Sequence, residues 1–138
     1  MIAMTEPKRS SKLLVYDSRR YLYCVYRGPG EWSSPNTLSL IGTDGDALDD
    51  VLRQVREKFR LATEAADWSA VGTVENPPND EINTIWTLRR PVDSLLFVPA
   101  AYGGLFCLQP STLKLFDAML SPALRSVMLA MEDLFADR

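Results

Sequence analysis

The chain of 138 residues has single-domain length, enough to bury about two-thirds of its unfolded surface in one core. Its net charge of −3 arises from intermixed signs, which argues against binding duplex nucleic acid, where a clustered basic excess is the rule. Histidine is absent, so Ser/His and Cys/His catalysis and imidazole metal ligation are excluded, and any chemistry falls to carboxylates, Lys, Arg, Tyr, Ser or the backbone.

Residues 1–11 read as a flexible polar arm and residues 12–138 as one domain. The arm lacks the apolar core of a signal peptide, and no apolar run reaches the length of a membrane span, so a cytoplasmic protein without a membrane partner is expected. Lys8, Arg9, Lys12, Arg19, Arg20 and Arg27 outnumber Glu6 and Asp17 near the start. A solvated tail and hairpin tip account for that excess, with a binding patch as the alternative. LLVY and YLYCVY flank the polar turn Asp17-Ser18-Arg19-Arg20 and predict a hairpin, because β-branched and aromatic runs bounded by turn residues favour strands. Turn-rich sequence on both sides of Trp32 then leads to a short strand at Thr37–Ile41.

From Asp46 to Leu61 the apolar residues Leu48, Val51, Leu52, Val55 and Phe59 recur at helical spacing. Asp49, Asp50, Arg53, Gln54, Glu57 and Lys58 fall on the opposite side, and Thr43-Asp44-Gly45-Asp46 supplies cap candidates and a glycine turn. Strands are expected at Trp68–Val74 and Ile82–Leu88, parted by Asn76-Pro77-Pro78-Asn79-Asp80. Alternation puts Ile82, Thr84, Trp86 and Leu88 on one face of the second, with Asn83, Ile85 and Thr87 on the other. Further extended pieces are expected at Leu95–Val98 and Leu105–Leu108, around a loop with Tyr102-Gly103-Gly104. A short helix from Ser111 through Met119 precedes a last helix capped by Ser121-Pro122, whose apolar face is Leu124, Val127, Met128, Met131, Leu134 and Phe135. That helix is expected to dock on the core, with a homodimer seam as the alternative use of its methionines. Cys24 and Cys107 sit in apolar stretches without metal-ligand spacing and read as buried and reduced. The result is one α+β domain.

The order of hairpin, tryptophan loop, strand ending in glycine, acidic turn, RxVxExxxL helix, further strands and terminal helices resembles the Nudix hydrolase (MutT-like) family over about residues 12–136. The resemblance implies an α/β/α sandwich around a mixed sheet. It also implies Mg²⁺ or Mn²⁺ held by helix glutamates against the diphosphate of a nucleoside-diphosphate-linked substrate. Ile41-Gly42-Thr43 stands in place of the Pro-Gly-Gly turn, and Arg53-Gln54-Val55-Arg56-Glu57-Lys58-Phe59-Arg60-Leu61 in place of the signature helix RExxEExG. Arg60 replaces the glycine that ends that helix, so a different helix ending is expected.

Three carboxylates at i, i+3 and i+4 suit a hard divalent cation, but of those positions only Glu57 keeps its carboxylate. Gln54 is neutral, and Lys58 puts a positive charge where the cation would sit. Glu57 with Asp50 is the candidate substitute metal pair, and Glu81 is the candidate loop base, each set against a simpler reading, ion pairs with Arg53 for the first and an ordinary polar turn for the second. Arg27, Arg53 and Lys58 are candidate phosphate ligands, while Trp32 and Trp86 are candidates for base stacking, with core packing as the alternative. The reading is a Nudix-like module with a degraded metal site, non-hydrolytic or weakly active, that binds a nucleotide-like phosphorylated ligand or a protein partner. A metal-dependent pyrophosphohydrolase acting on a nucleoside diphosphate derivative is the alternative, and a structural subunit of a larger assembly the third.

Overall fold

The computed structural model describes residues 7–27, 37–76, 80–93, 105–115 and 117–130. Trp32, the extended piece expected at 95–98, the Tyr102-Gly103-Gly104 loop, and Met131, Leu134 and Phe135 lie outside the described residues. The strands are β1 (Lys8–Leu14), β2 (Leu22–Arg27), β3 (Thr37–Asp44), β4 (Trp68–Asn76), β5 (Glu81–Leu88) and β6 (Leu105–Leu108), and the helices are α1 (Leu48–Phe59), α2 (Pro110–Lys114) and α3 (Pro122–Ala130). They form a six-stranded sheet in the order β4-β5-β1-β3-β2-β6. β1 and β5 run parallel, and the other neighbours are antiparallel, so the sheet is mixed.

Alternation along the strands divides the core in two. Leu13, Val15, Ile41 and Leu88 face α1 and bury Val51, Val55 and Phe59, while Leu14, Leu40 and Ile85 face α3 and bury Ala123, Leu124 and Val127. The domain is therefore an α/β/α sandwich with one helix of each outer layer seated on its own apolar stripe. Ser121 caps α3, its Oγ accepting from the Leu124 N–H at 3.2 Å, as the Ser-Pro pair predicts. The short helix begins earlier than expected, at Pro110 after Gln109, and gives way to a separate 3₁₀ turn at Asp117–Met119.

Three expectations from the sequence are corrected here. β1 starts at Lys8, so residues 8–11 are paired sheet and not arm; Ser10 and Ser11 are polar but buried, which hid the strand from a hydrophobicity reading. LLVY and YLYCVY do not form a continuous hairpin. β3 lies between β1 and β2, which meet only next to the turn, through the Tyr16↔Leu22 bridge and a 2.9 Å bond from the Tyr23 N–H to the Val15 carbonyl. A hairpin signal reports the turn, whereas the ladder partner is whichever strand buries the shared face. β3 also runs on to Asp44, three residues beyond the expected Ile41.

The turn between β1 and β2 is organised by Asp17, which is buried. Its carboxylate accepts from the N–H groups of Arg19 and Tyr21 and from the Arg19 guanidinium, at 2.6 to 3.0 Å. Burial pushes the Asp17 carboxyl up, but the hydrogen bonds from Tyr21 and Arg19 together outweigh it and hold it below its ordinary 3.8. A depressed carboxyl adds stability above its unfolded pKa and loses it as the pH falls through the lower folded value. Asp17→Asn is thus expected to lower the melting temperature at neutral pH and to flatten its decline below about pH 4, where the unfolded carboxyl titrates. Thermal melts from pH 7 to pH 2 check this, and parallel declines for parent and variant would refute it. Burial pushes the thiols of Cys24 and Cys107 up to about 12 and about 11, so both are protonated at neutral pH, and neither is in a disulfide.

Candidate functional site

The site forms where β3 ends and α1 begins, opposite the starts of β1 and β5. Gly42 lies within β3, paired with Lys12, so the turn expected of it is made instead by Gly45, at φ 78°. The positive φ at Gly45 favours glycine, and a Cβ there would displace the Asp50 carboxylate, which lies 2.3 Å from its position. Ser11 Oγ donates to the Gly45 carbonyl at 2.8 Å and accepts from the Trp86 indole N–H at 3.2 Å. The turn is thereby tied to two strands.

Gln54 was placed on the solvated face by periodicity, but it is buried, at 4% exposure. Its amide clamps the end of β3: Oε1 accepts from the Asp44 N–H at 2.9 Å and Nε2 donates to the Asp44 carbonyl at 2.7 Å. Lys58, one turn further along α1, donates to the same Oε1 at 3.2 Å. At Asp44 β3 still pairs with β1 but has run past its ladder with β2, and both backbone groups are satisfied there by one carboxamide, which a carboxylate could not do, having no donor.

Asp50 and Glu57 are drawn to the guanidinium of Arg53, at 3.5 and 3.8 Å. These exposed i,i+3 and i,i+4 pairs contribute a few tenths of a kcal/mol each, roughly. Lys8 and Arg9 answer the acidic turn, pairing with Asp44 and Asp46 at 3.6 Å each. The basic excess near the start is thus partly the complement of this turn. Among the described residues no three acidic or cysteine side chains converge in a way that could hold a metal ion. At two of the three positions α1 offers a carboxamide already bound to the Asp44 backbone and an ammonium, where a hard cation takes anionic oxygens.

Glu81 opens β5 on the α3 side of the sheet and accepts from Ser10 Oγ and, at 2.8 Å, from Asn83 Nδ2. Trp86 lies on the α1 side, packed against that half of the core. Arg27 closes β2, but its side chain, like Trp32, lies outside the described residues. The sequence reading missed Ser10, Ser11 and Asn83; the placement of Asn83 on the face opposite Trp86 was the one available signal. It also misjudged the end of α1, which stops at Arg60 in the left-handed conformation, φ 53° and ψ 33°. The Arg60 N–H reaches the Arg56 carbonyl at 3.0 Å, and Leu61 packs onto the α1 half of the core. Anchoring the chain on both sides offsets the about 1 to 2 kcal/mol that a side chain costs there.

No family model and no curated protein matches the sequence. Solved structures do match the fold. A MutT protein from Methanosarcina mazei Go1 superposes with a TM-score of 0.73 at 14% identity, covering 95% of this chain and 97% of the other. The Nudix domain of Shewanella oneidensis NrtR, complexed with ADP ribose, gives 0.70 at 15% identity over 95% and 90% of the two chains. The C-terminal domain of mouse MUTYH, in complex with human PCNA, gives 0.63 at 14% identity over 91% and 88%. Two proteins that share so little sequence but superpose over nearly their whole lengths share an architecture, and with its mixed sheet, its two helical layers and its helix behind the β3 turn, this chain has the Nudix fold.

Proposed function

We propose that this chain is a binding module on the Nudix fold, non-hydrolytic or only weakly active, that holds a phosphorylated, nucleotide-like ligand at the β3–α1 turn without a divalent metal. The observation that carries the reading is the Gln54 carboxamide. At a position where the resemblance implies a metal-ligating carboxylate, it is spent on both backbone groups of Asp44 and on the Lys58 ammonium. Lys58 supplies the positive charge that a cation would otherwise bring to a diphosphate. The ADP ribose bound by the Shewanella domain supports the ligand class.

Charge-assisted hydrogen bonds contribute about 1.5 to 3 kcal/mol, which corresponds to a tenfold or greater change in affinity. Titration of ADP-ribose and pyrophosphate in EDTA should therefore show binding that weakens with added salt. It should fall at least about tenfold in Lys58→Ala and stay unchanged in Glu57→Gln. If EDTA and Glu57→Gln each abolish binding, and Mg²⁺ with the parent protein releases a nucleoside monophosphate or phosphate, the metal-dependent pyrophosphohydrolase replaces this reading.

A further inference from the structure

β4 closes the sheet on one side, and among the described residues its only ladder is with β5. The outer edge of such a strand carries a row of N–H and C=O groups that face away from the sheet, and edges that stay single are blunted by charge, proline or shortness. β6, at the opposite edge, spans only Leu105–Leu108. β4 spans Trp68–Asn76 and has no charged or proline side chain from Trp68 through Val74. Ala70, Val71, Gly72 and Thr73 are all exposed. A bulge at Val71, between Ala70 and Gly72, is the one blunting feature of that stretch.

The face under α3 is incomplete at this edge. Gly72 pairs with Ile85 and Val74 with Asn83, which puts both on the α3 side of the sheet. With no side chain at Gly72, a cavity of about 170 Å³ opens between the strand and α3, its walls including Val74, Ile85, Ser126 and Val127. A Cβ on Gly72 would meet nothing within 4 Å. An apolar cavity of about 150 Å³ accommodates a benzene ring, so this one has room for a branched aliphatic side chain. On the α1 side the same stretch presents Thr73, paired with Thr84, and then Glu75.

We infer that β4 is a dimer seam, pairing antiparallel with β4 of a second copy about a two-fold axis at Thr73. In that register the strand is its own complement. Thr73 meets the partner's Thr73, a favourable cross-strand pair, and Val74 lies opposite the partner's Gly72, where its isopropyl group fills the space that glycine leaves open. Centring the pair on Gly72 leaves both cavities open, and centring it on Val74 sets the polar Asn76 over the partner's Gly72. Glu75 falls opposite the bulge at Val71, so two copies with a net charge of −3 each meet through an uncharged strip. The bulge ends the ladder at both sides, and because each copy offers the same patch the contact closes at two and does not propagate. The strip is small for a protein interface, which makes the dimer reversible. This seam goes beyond the phosphate reading and does not depend on it, since the Gly45 turn follows β3, three strands away from β4.

Sedimentation equilibrium of the full chain, from micromolar to near-millimolar concentration, is the test, and the parent should be a reversible dimer. Thr73→Lys and Thr73→Glu each set like charges face to face at the axis. Each alone should raise the dissociation constant at least about tenfold, while an equimolar mixture of the two should pair at least as tightly as the parent. Thr73 is exposed, so melts of both variants at the lowest concentration should match the parent's; should one not fold, the other carries the comparison. Phe106→Lys, at an exposed position on the opposite edge, is the control and should leave association unchanged. A parent that stays monomeric throughout overturns the seam and leaves the edge open to an extended peptide. A dimer that survives both Thr73 variants, or that only Phe106→Lys dissociates, overturns it as well, and a mixture that associates no better than its components overturns the register.

Discussion

Leu124→Asp is expected to unfold the domain at room temperature. Leu124 is fully buried in α3 against Leu14, Leu40 and Ile85, where no cation faces it among the described residues of that cluster. A carboxylate there either stays charged at a cost of several kcal/mol or takes up a proton and loses the packing of a leucine, and domains of this size are stable by only about 5 to 15 kcal/mol. Leu129→Asp on the same helix is the control, because Leu129 is 77% exposed and an exposed substitution changes stability by about 0.5 kcal/mol or less. Circular dichroism melts of the two variants separate burial from helix propensity. If Leu124→Asp melts like the parent, α3 does not seal this face of the sheet.

The double variant Gln54→Glu/Lys58→Glu should lose about 2 to 4 kcal/mol of stability in EDTA, from one deleted hydrogen-bond donor and several crowded carboxylates. Gln54 Nε2 donates to the Asp44 carbonyl, and a glutamate oxygen in its place meets that carbonyl without a proton between them. Asp50 and Glu57 already stand on the same helix and share Arg53, so two further negative charges leave four carboxylates within three turns of α1. A divalent cation is the natural neutraliser of such a face, and millimolar Mg²⁺ or Mn²⁺ should restore part of the loss. Calorimetric titration with the metal reads the same effect directly. Without a gain over the parent, the rebuilt turn around Gly45 is what excludes the ion, and the identity of residues 54 and 58 is secondary.

These two experiments bear on features of very different legibility. Leu124 was readable because its neighbours at helical spacing are all apolar and Ser121-Pro122 marks where the helix starts. Gln54 was readable as a missing carboxylate but not as a clamp. Periodicity assigns a residue to a helix face, and only the position of β3 shows that this residue meets a strand end whose N–H and carbonyl both need partners. The sequence allows Glu57 and Asp50 either as a substitute metal pair or as ion-pair partners of Arg53, and their distances to Arg53 depend on side-chain rotamers that periodicity does not carry.

What the sequence determined by itself is the set of local structures and their burial stripes: α1, α3, the strand segments, and the division of β5 into a Trp86 side and an Asn83 side. These follow from short-range stereochemistry and from the periods of helix and strand, which any window of the chain carries. Only the tertiary structure decided the insertion of β3 between β1 and β2, the strand start at Lys8 and the polar rows of Ser10, Lys12, Asn83 and Glu81. Each depends on which segment elsewhere in the chain satisfies another's backbone or side-chain hydrogen bonds, as Asn83 does for Ser10 at a separation of 73. A buried polar residue looks like a surface residue until its partner is in place.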